Sequence, residues 1–154
     1  MKFYPVCINI QNKKIVIIGG GKVAERKIKG LLPYNAKIIL VSPDLTNYLE
    51  KLVKEKRIKY INKKYSIKVI KNAFLVFACT SDSAVNKKIF SNATRQKIMV
   101  NVCDKTELCD FTSPAVVKRN GLTIAISTDG KNPELSKRFK EVMENEFLYL
   151  WNKL

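Results

Sequence analysis

The stretch that decides the fold is IVIIGGGKVAERK, residues 15–27: four apolar residues, three glycines, then the opening of a helix. Lys14 to Ile18 is rich in isoleucine and valine, which suits a strand buried on both faces. Lys22 to Leu32 carries Val23, Ala24, Ile28, Leu31 and Leu32 at near-helical spacing, and Pro33 marks its end. Between the two, Gly19, Gly21 and Ala24 fit the pattern G-x-G-x-x-G/A, whose credibility depends on this strand-before, helix-after context. In that reading Gly19 permits a tight turn, Gly21 lets backbone approach a pyrophosphate, and Ala24 allows close helix-on-strand contact. The first helical amides, from Lys22, Val23 and Ala24, then face the phosphates. Gly20 lies outside the minimal fingerprint, so side chains at Gly19 and Gly21 are expected to damage cofactor binding most. A glycine turn without a ligand shares the local pattern; the flanking elements favour a dinucleotide.

Outward from this unit the same grammar repeats. A second strand is expected at Lys37–Ser42, a helix at Leu45–Glu55 and a short strand at Ile58–Ile61. A strongly apolar strand follows at Ala73–Thr80. Asp82 or Ser83 then caps a helix with Val85, Ile89, Phe90 and Ala93 on one face. Lys97–Cys103 gives a fifth strand. Strands alternating with helices imply right-handed crossovers and a parallel, Rossmann-type α/β sheet.

After residue 104 the alternation stops. Ala115–Arg119 and Leu122–Ser127 flank Asn120-Gly121, a dipeptide suited to a type I′ hairpin. Asn132 and Pro133 read as N-cap and first residue of a long helix, with Leu135, Phe139, Val142, Met143, Phe147, Leu150 and Trp151 along one side. Such a wide apolar stripe needs a partner, within the chain or in a second copy. The expected division is a dinucleotide-binding domain at 1–112 and a hairpin-plus-helix region at 113–154.

Composition narrows the chemistry. The 154 residues hold 29 Lys+Arg against 13 Asp+Glu, a formal charge of +16, which favours an acidic partner. No nucleic-acid-binding module is recognisable, and the lysines follow no aromatic stacking pattern, so nucleic acid is not the expected partner. The chain contains no histidine, which removes imidazole acid-base chemistry and histidine-ligated metals. Cys7, Cys79, Cys103 and Cys109 match no metal-finger spacing and read as reduced thiols in or near a core, with no metal site expected. No apolar run approaches the ~20 residues that span a bilayer, and no leader pattern opens the chain, so a cytoplasmic location with no membrane partner is expected.

In open parallel sheets ligands sit beyond the carboxyl ends of the strands. After the second strand Ser42-Pro43-Asp44 stands where an acid would bind the ribose; Asp44 is displaced by two positions, and no basic residue directly follows, which favours NAD over NADP. The fourth strand ends at Thr80-Ser81, further candidates for cofactor contact, and the fifth ends at Asp104. Without histidine a carboxylate is the natural proton acceptor, which makes Asp104 the candidate base; a turn cap is the competing role.

GGGKVAERK, VSPDL, ACTSDSAVN, VNVCDKTELCDFTSPAVV and IAISTDGKNPEL, taken in order, resemble the precorrin-2 dehydrogenase family, the oxidoreductase module of siroheme synthases. The similarity spans residues 5 to about 145. It implies NAD-dependent oxidation of precorrin-2 to sirohydrochlorin in siroheme, and in some organisms cobalamin, biosynthesis. It further implies a homodimer joined through the hairpin and following segments, with Asp104 as the essential aspartate. Precorrin-2 is a polycarboxylate, so Arg119 and Lys131 become candidates for its binding. Family members commonly continue with a further helical region, which the resemblance leaves without a counterpart before Leu154. Two other readings stay open: an NAD-sensing module without catalysis, and a bifunctional dehydrogenase/ferrochelatase.

Overall fold

The structure is a computed structural model that describes residues 2–151, with side chains described through Glu146. It divides into two compact units, Val6–Phe111 and a second formed by Met1–Pro5 with Thr112–Leu154.

The first unit is a five-stranded parallel sheet. Its strands are β1 (Lys14–Ile18), β2 (Lys37–Val41), β3 (Lys59–Ile61), β4 (Leu75–Ala78) and β5 (Met99–Val102), in the order β3-β2-β1-β4-β5. The order reverses between β1 and β4, where Ile15 pairs with Leu75 and Ile18 with Ala78. That reversal opens a crevice beyond the carboxyl ends of these two strands. β1 is buried at Ile15, Val16, Ile17 and Ile18 alike, as a central strand covered on both faces must be.

Helices α1 (Lys22–Leu31), α2 (Asn47–Lys54) and α3 (Ser83–Arg95) cover the sheet. Ala24 and Ile28 of α1 and Leu49 and Leu52 of α2 pack with Ile15, Ile17, Leu40 and Phe77 in one core. Alternation along the strands sends Val16, Val76 and Val100 to the other face, where α3 lies against β4 and β5 and buries Ile89 and Ala93.

Several elements are shorter than the sequence pattern. β4 stops at Ala78 because the Thr80 amide leaves the ladder and donates to the side chain of Asn86 at 3.2 Å. α2 begins at Asn47 rather than Leu45, since Thr46 is its cap and its hydroxyl accepts from the Leu49 amide at 3.4 Å. Asp82 caps α3, accepting from the amides of Ala84 and Val85 at 2.8 and 3.1 Å. A 3-10 turn at Ile67–Ile70 carries no periodic signal in the sequence. The chain returns to the sheet through left-handed residues, Asn35, Lys56, Asn72 and Lys97.

The second unit holds β6 (Ala115–Arg119), β7 (Leu122–Ile126) and α4 (Pro133–Trp151). Both turn residues have positive φ, Asn120 at 49° and Gly121 at 81°, as a type I′ turn requires. Asn132 caps α4, its carboxamide oxygen accepting from the Leu135 amide at 2.9 Å. Leu135, Phe139 and Val142 are 40, 55 and 55% exposed, so this part of the stripe is open among the described residues. The side chains of Phe147, Leu150 and Trp151 lie outside the described residues.

Candidate functional site

The glycine loop that joins β1 to α1 is held by two neighbours. Gly19 donates its amide to Val41 O at 2.9 Å, and Gly20 O accepts from the Thr46 amide at 3.1 Å. Gly19 has φ +108°, and a Cβ there would collide with the carbonyl of Cys79. A Cβ on Gly20 would collide with the carbonyl of Asp44 and press on Ser42 Oγ and Leu45. Gly21 is different: a Cβ there meets nothing within 4 Å.

The fold adds a requirement that the fingerprint does not carry. Gly19 and Gly20 are the positions the fold itself demands; Gly20 is required because the loop after β2 passes directly over it. Gly21 faces open space, a cradle that a Cβ would fill without meeting the rest of the fold.

Gly21 is the N-cap of α1, and no side chain caps that helix, whereas Thr46 caps α2 and Asp82 caps α3. The leading amides of α1, at Lys22, Val23 and Ala24, therefore take no capping side chain, the arrangement a phosphate needs. Lys22 and Val23 are exposed, while Ala24 is fully buried in the core. The donor set and the open cradle fit a dinucleotide pyrophosphate.

Glu25, one turn into α1, fixes this helix. Its carboxylate accepts from Lys29 Nζ at 2.7 Å and from Thr46 Oγ1 at 2.8 Å, so α1 is tied to the cap of α2. The Lys29 hydrogen bond, helped by Thr46, holds the Glu25 carboxyl below the usual carboxylate range. Glu25 was not singled out from sequence; an acid on the buried side of an amphipathic helix is its signal.

Ser42 is buried beneath the loop after β2; Pro43 and Asp44 are exposed beside it. The Tyr60 hydroxyl donates to Ser42 O at 3.0 Å and fixes this bend. Burial, reinforced by the charges of Asp44 and Glu50, pushes the Tyr60 phenol up.

At the ends of β4 and β5 the candidate residues converge on one side chain. Asn86, in the first turn of α3, is 1% exposed. Its amide nitrogen donates to Asp104 Oδ1 at 2.8 Å and to Thr80 O at 3.1 Å. Its oxygen accepts from Thr80 Oγ1 at 2.8 Å and from the Thr80 amide. Asp104 is exposed apart from this hold, as is Ser81. Thr80 is thus spent on Asn86, and Asp104 stands just beyond β5 with one oxygen engaged. Asn86 was missed because it reads as one polar residue within a helix; its place on the stripe with Ile89 and Ala93 is the signal that a buried task holds it there.

Cys79 and Cys103 leave adjacent strands on the same face, their sulfurs 2.7 Å apart as free thiols. The hydrogen bond between the two draws the Cys103 thiol below its ordinary range, while that bond and burial push Cys79 up. Cys109 is buried, as expected of a core thiol, but Cys7 is exposed. The segment after Asp104 returns along β5, where Asp110 accepts from the Val100 amide at 2.9 Å and donates its own amide to Val100 O. Phe111 then meets Phe77 edge-on, ring centroids 5.3 Å apart.

Arg119 and Lys131 lie in the other unit, both exposed, at the end of β6 and in the turn before α4. Among the described residues no group of three or more Cys, Asp or Glu side chains is placed to hold a metal ion. Nor is any described helix long and apolar enough to cross a membrane.

Comparison with known proteins agrees with this geometry. Residues 6–115 match the family model described as "Putative NAD(P)-binding". The siroheme synthase of Pseudoalteromonas translucida is 38% identical over 144 residues, which are 94% of this chain and 30% of that protein. Siroheme synthase 1 of Klebsiella pneumoniae is 35% identical over 94% of this chain and 31% of its own length. The chain therefore spans about a third of the length of these relatives. The solved structure of SirC, precorrin-2 dehydrogenase, superposes with a TM-score of 0.78 at 31% identity, covering 93% of this chain and 71% of that one.

Proposed function

The chain belongs to the precorrin-2 dehydrogenase family, and from that premise we propose that it oxidises precorrin-2 to sirohydrochlorin with NAD⁺. Carrying this reading is the row formed by the open Gly21 cradle, the Cys79–Thr80 strand end and Asp104, joined through Gly19 and Asn86. The nicotinamide, when bound, supplies the hydride acceptor. Asp104 takes the proton that leaves with that hydride, so the macrocycle loses two electrons and two hydrogens and gains a double bond.

The chain's own residues supply position. Gly19 and Gly20 keep the loop close to β2 and β4, Gly21 leaves the approach clear, and the Lys22, Val23 and Ala24 amides meet phosphate charge. Ser42, Pro43 and Asp44 border the ribose, with Asp44 the candidate acid and NAD favoured over NADP. Thr80 and Ser81 line the approach to Asp104. Arg119 and Lys131 receive substrate carboxylates, so alanine at either raises KM. Two copies of the chain join through the hairpin and α4; the exposed Leu135, Phe139 and Val142 support this, and sedimentation of Phe139→Asp as a monomer tests it. Free thiols and the lack of a spanning helix among the described residues support a cytoplasmic setting.

The experiment incubates the protein anaerobically with precorrin-2 and NAD⁺ or NADP⁺ and follows sirohydrochlorin by its absorbance. Turnover with NAD⁺ supports the reading. A folded protein that binds NAD⁺ and never converts precorrin-2 is instead a nucleotide sensor.

A further inference from the structure

We propose that Asn86 is a positioning residue for the base: it fixes which oxygen of Asp104 meets the substrate. The inference rests on the dehydrogenase reading above and extends it to a residue that touches neither substrate nor cofactor in that reading. Asp104 is exposed just beyond the carboxyl end of β5, where an aspartate ordinarily samples several rotamers. Asn86 is buried, and its carboxamide is fully engaged between Thr80 and Asp104.

Each bond in this cluster has a distinct consequence. Thr80 Oγ1 and the Thr80 amide both donate to Asn86 Oδ1, so the oxygen end of the carboxamide is fixed toward that hydroxyl and amide and the NH₂ end toward the Thr80 carbonyl and Asp104. The donor set admits only this orientation, because a flipped amide would face the Thr80 amide with its own N–H. With the NH₂ held between the Thr80 carbonyl and Asp104, Asp104 Oδ1 is occupied at 2.8 Å and Oδ2 is the oxygen left for proton acceptance. The cap at Asp82 anchors the same helical turn, so Asn86 is held at both backbone and side chain. A base held in one orientation avoids the ordering cost at the moment of reaction, and loss of such positioning costs up to about 100-fold in rate.

The test is a double-mutant cycle with Asn86→Leu, Asp104→Asn and the pair, read on kcat, on KM and on NAD⁺ affinity. Asn86→Leu is expected to lower kcat about 10- to 100-fold, with KM and NAD⁺ affinity nearly unchanged. In the Asp104→Asn background the same change is expected to lower kcat little further, since the residue acts through Asp104. Should Asn86→Leu not fold, Asn86→Asp keeps the shape and the acceptor toward Thr80 while replacing the donor, and it enters the same cycle. A wild-type kcat in the Asn86 variant, or an equal loss in both backgrounds, overturns the inference while leaving the dehydrogenase reading intact. A wild type that binds NAD⁺ without turnover removes that reading and this inference together.

Discussion

Asn86 and Asp104 come from different elements, a helix and the end of a strand, and meet at 2.8 Å with the asparagine buried and the aspartate exposed. The contact depends on how α3 begins. Asp82 accepts from two amides of its first turn, and Asn86 completes that turn, its amide bonded to Asp82 O at 3.0 Å. Asp82→Ala is therefore expected to cost about 1 kcal/mol, seen as a lower urea midpoint with an unchanged slope.

The three glycines separate folding from binding. Gly20→Ala is expected to destabilise by about 1–3 kcal/mol, because the Asp44 carbonyl occupies the space. Gly21→Val is expected to change stability by less than about 1 kcal/mol, yet to weaken NAD⁺ binding about tenfold or more, equivalent to about 1.4 kcal/mol. Thermal melts with and without NAD⁺ read both quantities. Gly21→Val that binds NAD⁺ like wild type would show that the pyrophosphate lies elsewhere.

Glu25 gives the acid-side dependence of stability. Its folded carboxyl is held below the ordinary value by Lys29 and Thr46, so its contribution is present above the unfolded pKa and is lost as pH falls through the folded one. Wild type is expected to be more stable than Glu25→Gln at pH near 6, with the gap closing through the acid range. Urea midpoints across that range measure it; a gap that is constant with pH would remove the ion pair from the account.

The thiols differ in access. Cys7 is exposed, Cys79 and Cys109 are buried, and Cys103 is half-buried beside Cys79. A thiol reagent added to folded protein is expected to show one fast phase, abolished by Cys7→Ser, with the remaining thiols reacting only slowly or on unfolding.

Much of the first unit was legible in the sequence. The apolar runs placed β1, β2, β4 and β5, because burial within the sheet leaves an apolar signature, while the short, part-exposed edge strand β3 showed only as a brief apolar run; the order of strand, glycines and helix marked the loop between β1 and α1. What was not legible depended on contacts between segments distant along the chain. Gly20 lay outside the fingerprint, and its role in the fold left no local signal because Asp44, whose carbonyl excludes a side chain there, belongs to the next strand's loop. Asn86 looked like an ordinary helical polar residue because its partners, Thr80 and Asp104, flank it from two strands. Lys56 and Lys97 adopt left-handed backbone that the sequence would mark with glycine or asparagine, so those turns left no signal.

The central claim joins a dinucleotide cradle at Gly21 to proton acceptance at Asp104. Its most direct test compares wild type with Asp104→Asn in anaerobic precorrin-2 oxidation, with NADH counted against sirohydrochlorin and NAD⁺ binding measured in parallel. The account predicts one NADH per sirohydrochlorin for wild type. It predicts a kcat lower by about 10²- to 10⁴-fold for Asp104→Asn, with NAD⁺ affinity unchanged. Full activity in Asp104→Asn, or no turnover by a folded wild type that binds NAD⁺, would contradict it.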